Sequence, residues 1–157
     1  METVLAQEET HESQVLFNRA LELINRNSFD TAMVHLEEAL QIAPNNATYL
    51  SHYGLCVATD RNDFEAARKL CQRAVKMSPS DPVNRVNLGR VLRLEGDKRL
   101  AYETFIKAWK QDKSHPAAAS ELSRMGIRRP PVLTFLARDN WLNVRLGRLR
   151  ATVERGR

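Results

Sequence analysis

The chain has 157 residues, 43% of them apolar and 27% charged, with only 6 Gly and 6 Pro, a composition ordinary for one soluble helical domain. No apolar run approaches the length of a membrane-spanning helix, which excludes that class. The net charge is +5 and unevenly spread: up to Gly126 there are 16 Lys+Arg against 17 Asp+Glu, whereas from Ile127 onward 8 arginines face only Asp139 and Glu154.

The opening stretch, METVLAQEETHES, is acidic and lacks the basic and apolar regions of a secretory signal, which points to the cytoplasm. Residues 1–12 read as a polar lead-in, or as an early extension of the first helix. Three similar units follow, over 13–46, 47–80 and 81–114. Pro44 and Pro79 are 35 residues apart, as are Gly54 and Gly89. Ala32, Ala67 and Ala101 are separated by 35 and then 34 residues, and two further columns (Ala39, Ala74, Ala108 and Leu36, Cys71, Phe105) repeat those spacings. Several columns sharing one period indicate a repeat array.

Each unit reads as two helices. In the first, FDTAMVHLEEALQIA is predicted to bury Phe29, Ala32, Val34, Leu36, Ala39 and Leu40. In the second, a helix over about Thr48–Thr59 leads to the turn DRND, with Asp63 as N-cap of the next helix. That helix stops at Ser78-Pro79, because proline cannot continue it. Gly54 and Ala67 let the paired helices approach, and Leu50, Val57 and Leu70 fill the space between them. In the third unit Gly96-Asp97 makes the turn and Trp109 lies near the end of the second helix. Cys56 and Cys71 fall at core-like helical positions, away from any CxxC pair or histidine cluster, and read as buried reduced thiols.

Residues 115–126 read as a capping helix, with Pro116 in its first turn and Gly126 just past its end. Over 127–139, Pro130 and Pro131 hold an extended segment whose Val132, Leu133, Phe135 and Leu136 are predicted to pack on the solenoid's flank or in its groove. Residues 140–154 read as an amphipathic helix. Its apolar stripe is Leu142, Leu146, Leu149 and Val153, with Arg145 and Arg148 to one side and Arg150 to the other. These three arginines are the candidate tail contacts, suited to a carboxylate-bearing partner or to an anionic surface.

The repeat columns resemble the tetratricopeptide repeat family, whose pattern is W-x2-L-G-x2-Y, then A-x3-F, then P. The second unit supplies Leu50, Tyr53, Gly54, Val57, Ala67, Cys71 and Pro79. The third supplies Arg85, Leu88, Gly89, Leu92, Ala101 and Phe105, with Lys113 in place of the proline. The first supplies Leu16, Arg19, Ala20, Leu23, Ala32, Leu36 and Pro44. The departures are the absent tryptophan, Arg19 and Arg85 at apolar positions, and the lost third proline.

The resemblance implies an all-α fold, a right-handed superhelix of antiparallel helix pairs, and a non-enzymatic adaptor that holds a segment of another protein in its concave groove. It implies that the first helix of each unit lines that groove. The candidate peptide contacts are then Asn18, Leu21 and Asn25; His52 and Leu55; and Asn87, Arg90 and Arg93. Asparagine amides donate and accept together, which suits a peptide backbone. Arg90 and Arg93 suit a carboxylate, so the partner segment is expected to be acidic. The lysines of the family's dicarboxylate clamp are replaced at Phe17 and Val86, which argues against a chaperone C-terminus as ligand. Other readings are a peripheral module held on an anionic membrane or nucleic acid by the tail, and a secretion-type chaperone of the same family. A homo-oligomer is compatible with all of them. His11, His35, His52 and His115 are scattered without ligand spacing, and no catalytic constellation stands out. No cofactor, no metal and no enzymatic activity are therefore expected.

Overall fold

In a computed structural model the chain divides into two units, Met1–Met125 and Gly126–Arg157. The structure describes residues 2–125, with side chains from Thr10 onward. The Pro-containing segment and the arginine-rich helix expected over 140–154, with Arg145, Arg148 and Arg150, lie outside the described residues.

Among the described residues seven helices follow one another: α1 (Glu2–Asn25), α2 (Phe29–Ile42), α3 (Ala47–Asp60), α4 (Phe64–Met77), α5 (Pro82–Glu95), α6 (Lys98–Gln111) and α7 (Pro116–Met125). The opening acidic stretch is the N-terminal part of α1. Consecutive helices pair as α1–α2, α3–α4 and α5–α6. Each pair also packs on the next, and α7 closes the array against α6 and α5. The result is an all-α solenoid, with no strand among the described residues.

The period seen in the sequence is the core. Ala32, Ala67 and Ala101, Ala39, Ala74 and Ala108, and Leu36, Cys71 and Phe105 are all fully buried. Small residues set the helix spacing. A Cβ placed on Gly54 would lie 2.9 Å from the Cys71 Sγ and 3.0 Å from the Ala67 carbonyl oxygen. One placed on Gly89 would lie 2.5 Å from the Phe105 ring. Backbone-to-side-chain contact this close requires glycine at both places.

Turn chemistry repeats with the units. The residue two before α2, α4 and α6 has positive φ each time, as Asn27, Asn62 and Gly96. Asparagine and glycine tolerate that left-handed conformation. Asp63 and Asp97 then accept hydrogen bonds from the Ala66 and Leu100 amides at the starts of α4 and α6. Asn46 and Asp81 do the same for α3 and α5. Ser28, ahead of α2, makes no side-chain cap.

Two departures from the repeat pattern have a structural account. Arg85 donates to the Pro79 carbonyl and to Gln111, and Gln111 Nε2 donates to the same carbonyl at 3.0 Å. A hydrogen-bonded tie between the α4–α5 loop and the end of α6 thus stands where an apolar side chain is usual. At the lost proline the chain turns through Asp112, whose carboxylate accepts from the Ser114 amide at 2.9 Å. One expectation is corrected. Val34, placed in the core by its apolar character, is 52% exposed. It lies two residues before Leu36, a separation that puts it across the helix from the buried stripe.

Candidate functional site

The first helices of the three pairs meet α7 in a row, and the three seams between them differ in chemistry. The first, α1 against α3, is aromatic. Phe17 stacks on Tyr49 with ring centroids 4.6 Å apart and meets His52 edge-on at 5.1 Å. Polar tips rim it: the Tyr49 hydroxyl donates to Gln14 Oε1 at 3.3 Å, and Gln14 Nε2 donates to Asn18 Oδ1 at 3.0 Å. His52 Nδ1 lies 2.8 Å from the Thr48 carbonyl oxygen. Burial, with the Arg90 charge adding to it, holds the imidazole below its ordinary pKa, so at neutral pH it is uncharged and donates to that carbonyl.

The second seam, α3 against α5, is polar and neutral. Asn87 Nδ2 donates to Ser51 Oγ at 3.1 Å, and Ser51 Oγ donates to the Thr48 carbonyl at 3.0 Å. Ser51, Asn84 and Asn87 are all buried. Cys71 Sγ touches the Ser51 carbonyl from behind at 3.4 Å.

The third seam, α5 against α7, is ionic. Glu121 on α7 is buried, and its carboxylate accepts from Arg90 Nε at 2.7 Å. Arg93 Nε stands 3.8 Å and Arg124 3.9 Å from the same carboxylate. Three guanidiniums thus surround one carboxylate, which leaves two positive charges uncompensated within that cluster.

The expected contacts are distributed as follows. Asn18 and Asn25 are exposed and Leu21 partly so. Asn18 also borders a shallow hollow of about 380 Å³ together with Arg19, Glu22 and Arg26. Arg93 is exposed, Arg90 is one-third exposed, and His52 is mostly covered by Phe17 and its surroundings. Leu55 and Asn87 are placed differently from the expectation. Leu55 belongs to the hydrophobic core, and Asn87 spends its amide on Ser51 inside the α3–α5 seam. Glu121 is not among the expected contacts, because in sequence α7 reads only as a polar-faced cap. The signal for it is the spacing of Ala118, Glu121 and Met125, which sets a carboxylate on the helix's apolar side three and four residues from its neighbours. Among the described residues no group of three His, Cys, Asp or Glu side chains is placed to hold a metal ion, and no helix is long and apolar enough to cross a membrane.

A tetratricopeptide repeat family model matches residues 13–46. Solved structures extend the likeness of fold over about three-quarters of the chain. The first TPR of Spaghetti (RPAP3), bound to the HSP90 peptide SRMEEVD, aligns over 73% of this chain and 93% of its own at 15% identity and TM-score 0.61. The Sgt2 TPR domain from Aspergillus fumigatus aligns over 73% and 76% at 22% identity and TM-score 0.61. A Thermobaculum terrenum O-GlcNAc transferase aligns over 74% of this chain but only 22% of its own, at 24% identity and TM-score 0.65. The family model over the first repeat and the likeness of the helix pairs to these structures give the chain a tetratricopeptide-repeat-like fold, with residues 13–46 matching that family's repeat.

Proposed function

We propose that the protein is a non-catalytic adaptor whose first-helix face (α1, α3, α5 and α7) holds a segment of a partner protein. The observation that carries this reading is the graded row of seams. An exposed amide pair, Asn18 and Asn25, stands at the α1 end, and an ionic cluster with two surplus positive charges stands at the α7 end. A segment lying along the row finds backbone-pairing amides first and cations last, so its acidic end belongs over Arg93. The RPAP3 domain, of the same fold, is seen with an acidic peptide, which supports the direction of this reading.

The working contact set is Asn18, Leu21, Asn25, His52, Arg90 and Arg93. Leu55 and Asn87 act behind it, holding the helices that present it. The test is selection of binding peptides from a random library on the full chain, followed by affinity measurement on variants. Asn18→Ala combined with Arg93→Glu is expected to weaken selected peptides at least tenfold. Equal affinity of that variant and the parent rejects the reading.

A further inference from the structure

The second helices of the first two pairs carry opposite net charge. Helix α2 has three carboxylates, Asp30, Glu37 and Glu38, and no lysine or arginine. Helix α4, its counterpart one repeat later, has four cations and one carboxylate. The two are related by the 35-residue offset that superimposes Ala32 on Ala67. Glu38 therefore corresponds to Arg73 and Gln41 to Lys76. All four are exposed.

Part of this charge is left over by the pairs inside the chain. Lys69 pairs with Glu65, and Arg68 with Glu95. Arg73 and Lys76 have no carboxylate partner among the described residues. On α2, Glu37 accepts from the Tyr53 hydroxyl at 2.6 Å and Glu38 meets only His35. No carboxylate of α2 is paired with a lysine or arginine among the described residues. Val34, half exposed, stands one turn from Glu38 on the same side and adds an apolar patch to that face.

We infer that two copies of the chain associate through this surface, with α2 of each copy lying on α4 of its partner. A two-fold axis between the two helices makes the contact twice and closes the assembly, as a self-complementary interface does. It also sets Asp30, Glu37 and Glu38 of one copy against the unpaired Arg73 and Lys76 of the other each time and opposes no like-charged helices. A solenoid of single sign would offer no such pairing. Because exposed ion pairs are individually weak and screened by salt, the association is concentration-dependent and salt-sensitive. It uses the second helices and is independent of the peptide-binding reading, which rests on the first.

Sedimentation equilibrium of the full chain tests it. In about 20 mM NaCl the weight-average mass is expected to rise above 17.9 kDa with protein concentration, and to return to that value in about 0.5 M NaCl. Glu37→Lys with Glu38→Lys, and separately Arg73→Glu with Lys76→Glu, should each be monomeric at low salt. An equimolar mixture of the two variants should associate again, because the reversed charges restore complementarity. Circular dichroism confirms that each variant is folded before the comparison. A monomeric parent at low salt overturns the inference. So does undiminished association of either variant alone, or a mixture that stays monomeric.

Discussion

The Glu121 carboxylate on α7 accepts a hydrogen bond from Arg90 Nε on α5 at 2.7 Å. The carboxylate is buried, while the guanidinium is one-third open to solvent. Helix α7 therefore supplies from within the chain the kind of group that a ligand would bring to Arg90. This pair both fastens α7 to the array and sets the charge of the face it borders. Replacing Glu121 with Gln removes the ion pair and leaves three guanidiniums without a counter-charge. Partial exposure of Arg90 moderates the cost, and a loss of about 2 kcal/mol in urea unfolding is expected. The same variant should bind an acidic peptide more tightly than the parent does.

Gly89→Ala should destabilise the fold although alanine is the better helix former by about 1 kcal/mol. The added methyl would meet the Phe105 ring, itself fully buried and without room to retreat. A net loss of about 1–3 kcal/mol follows from overpacking. Gly54→Ala should behave similarly, since its methyl would press on Cys71 and on the α4 backbone. A rise in thermal midpoint for either variant would contradict the close approach described.

The two thiols should be inert in the folded protein. Burial pushes both Cys56 and Cys71 up to about 12, so thiolate is scarce at neutral pH. Ellman's reagent is expected to label neither within the time in which it labels both in denaturant. Fast labelling of the native chain would show that α3 and α4 open locally.

Stability should fall on mild acidification through His52. Its folded pKa lies below the ordinary 6.5, chiefly because of burial. The unfolded chain then binds a proton that the folded chain resists, so stability is full above about pH 6.5 and declines as the pH drops toward the folded value. Urea midpoints of the parent and of His52→Gln, compared at about pH 7.5 and 5.5, isolate this term. The parent should lose more than the variant; an equal loss would assign the effect to other groups.

The helix pairs were legible because the residues that recur in sequence are the ones with no room to vary. Alanine at three equivalent crossings, glycine against Cys71 and Phe105, and aspartate ahead of α4 and α6 are each dictated by local geometry. The site was less legible. Position on the first helix of a pair does not separate a residue facing the groove from one facing the next helix. Asn87 and Arg90 are three apart, yet one is sealed against Ser51 and the other reaches Glu121 and solvent. Which side of α5 each takes is settled by the neighbouring helices, α3 and α7, whose spacing no single-helix pattern encodes. Val34 shows the same limit: apolar character alone placed it in the core, and the helix phase puts it outside.

The most direct test of the central reading is fluorescence anisotropy of a library-selected peptide with three forms of the full chain. These are the parent, Asn18→Ala with Arg93→Glu on the first-helix face, and Lys107→Glu with Lys110→Glu on α6. The account predicts at least tenfold weaker binding to the first variant and near-parental binding to the second. Parental affinity for the first variant, with loss in the second, would move the binding surface to the other side of the solenoid and contradict the account.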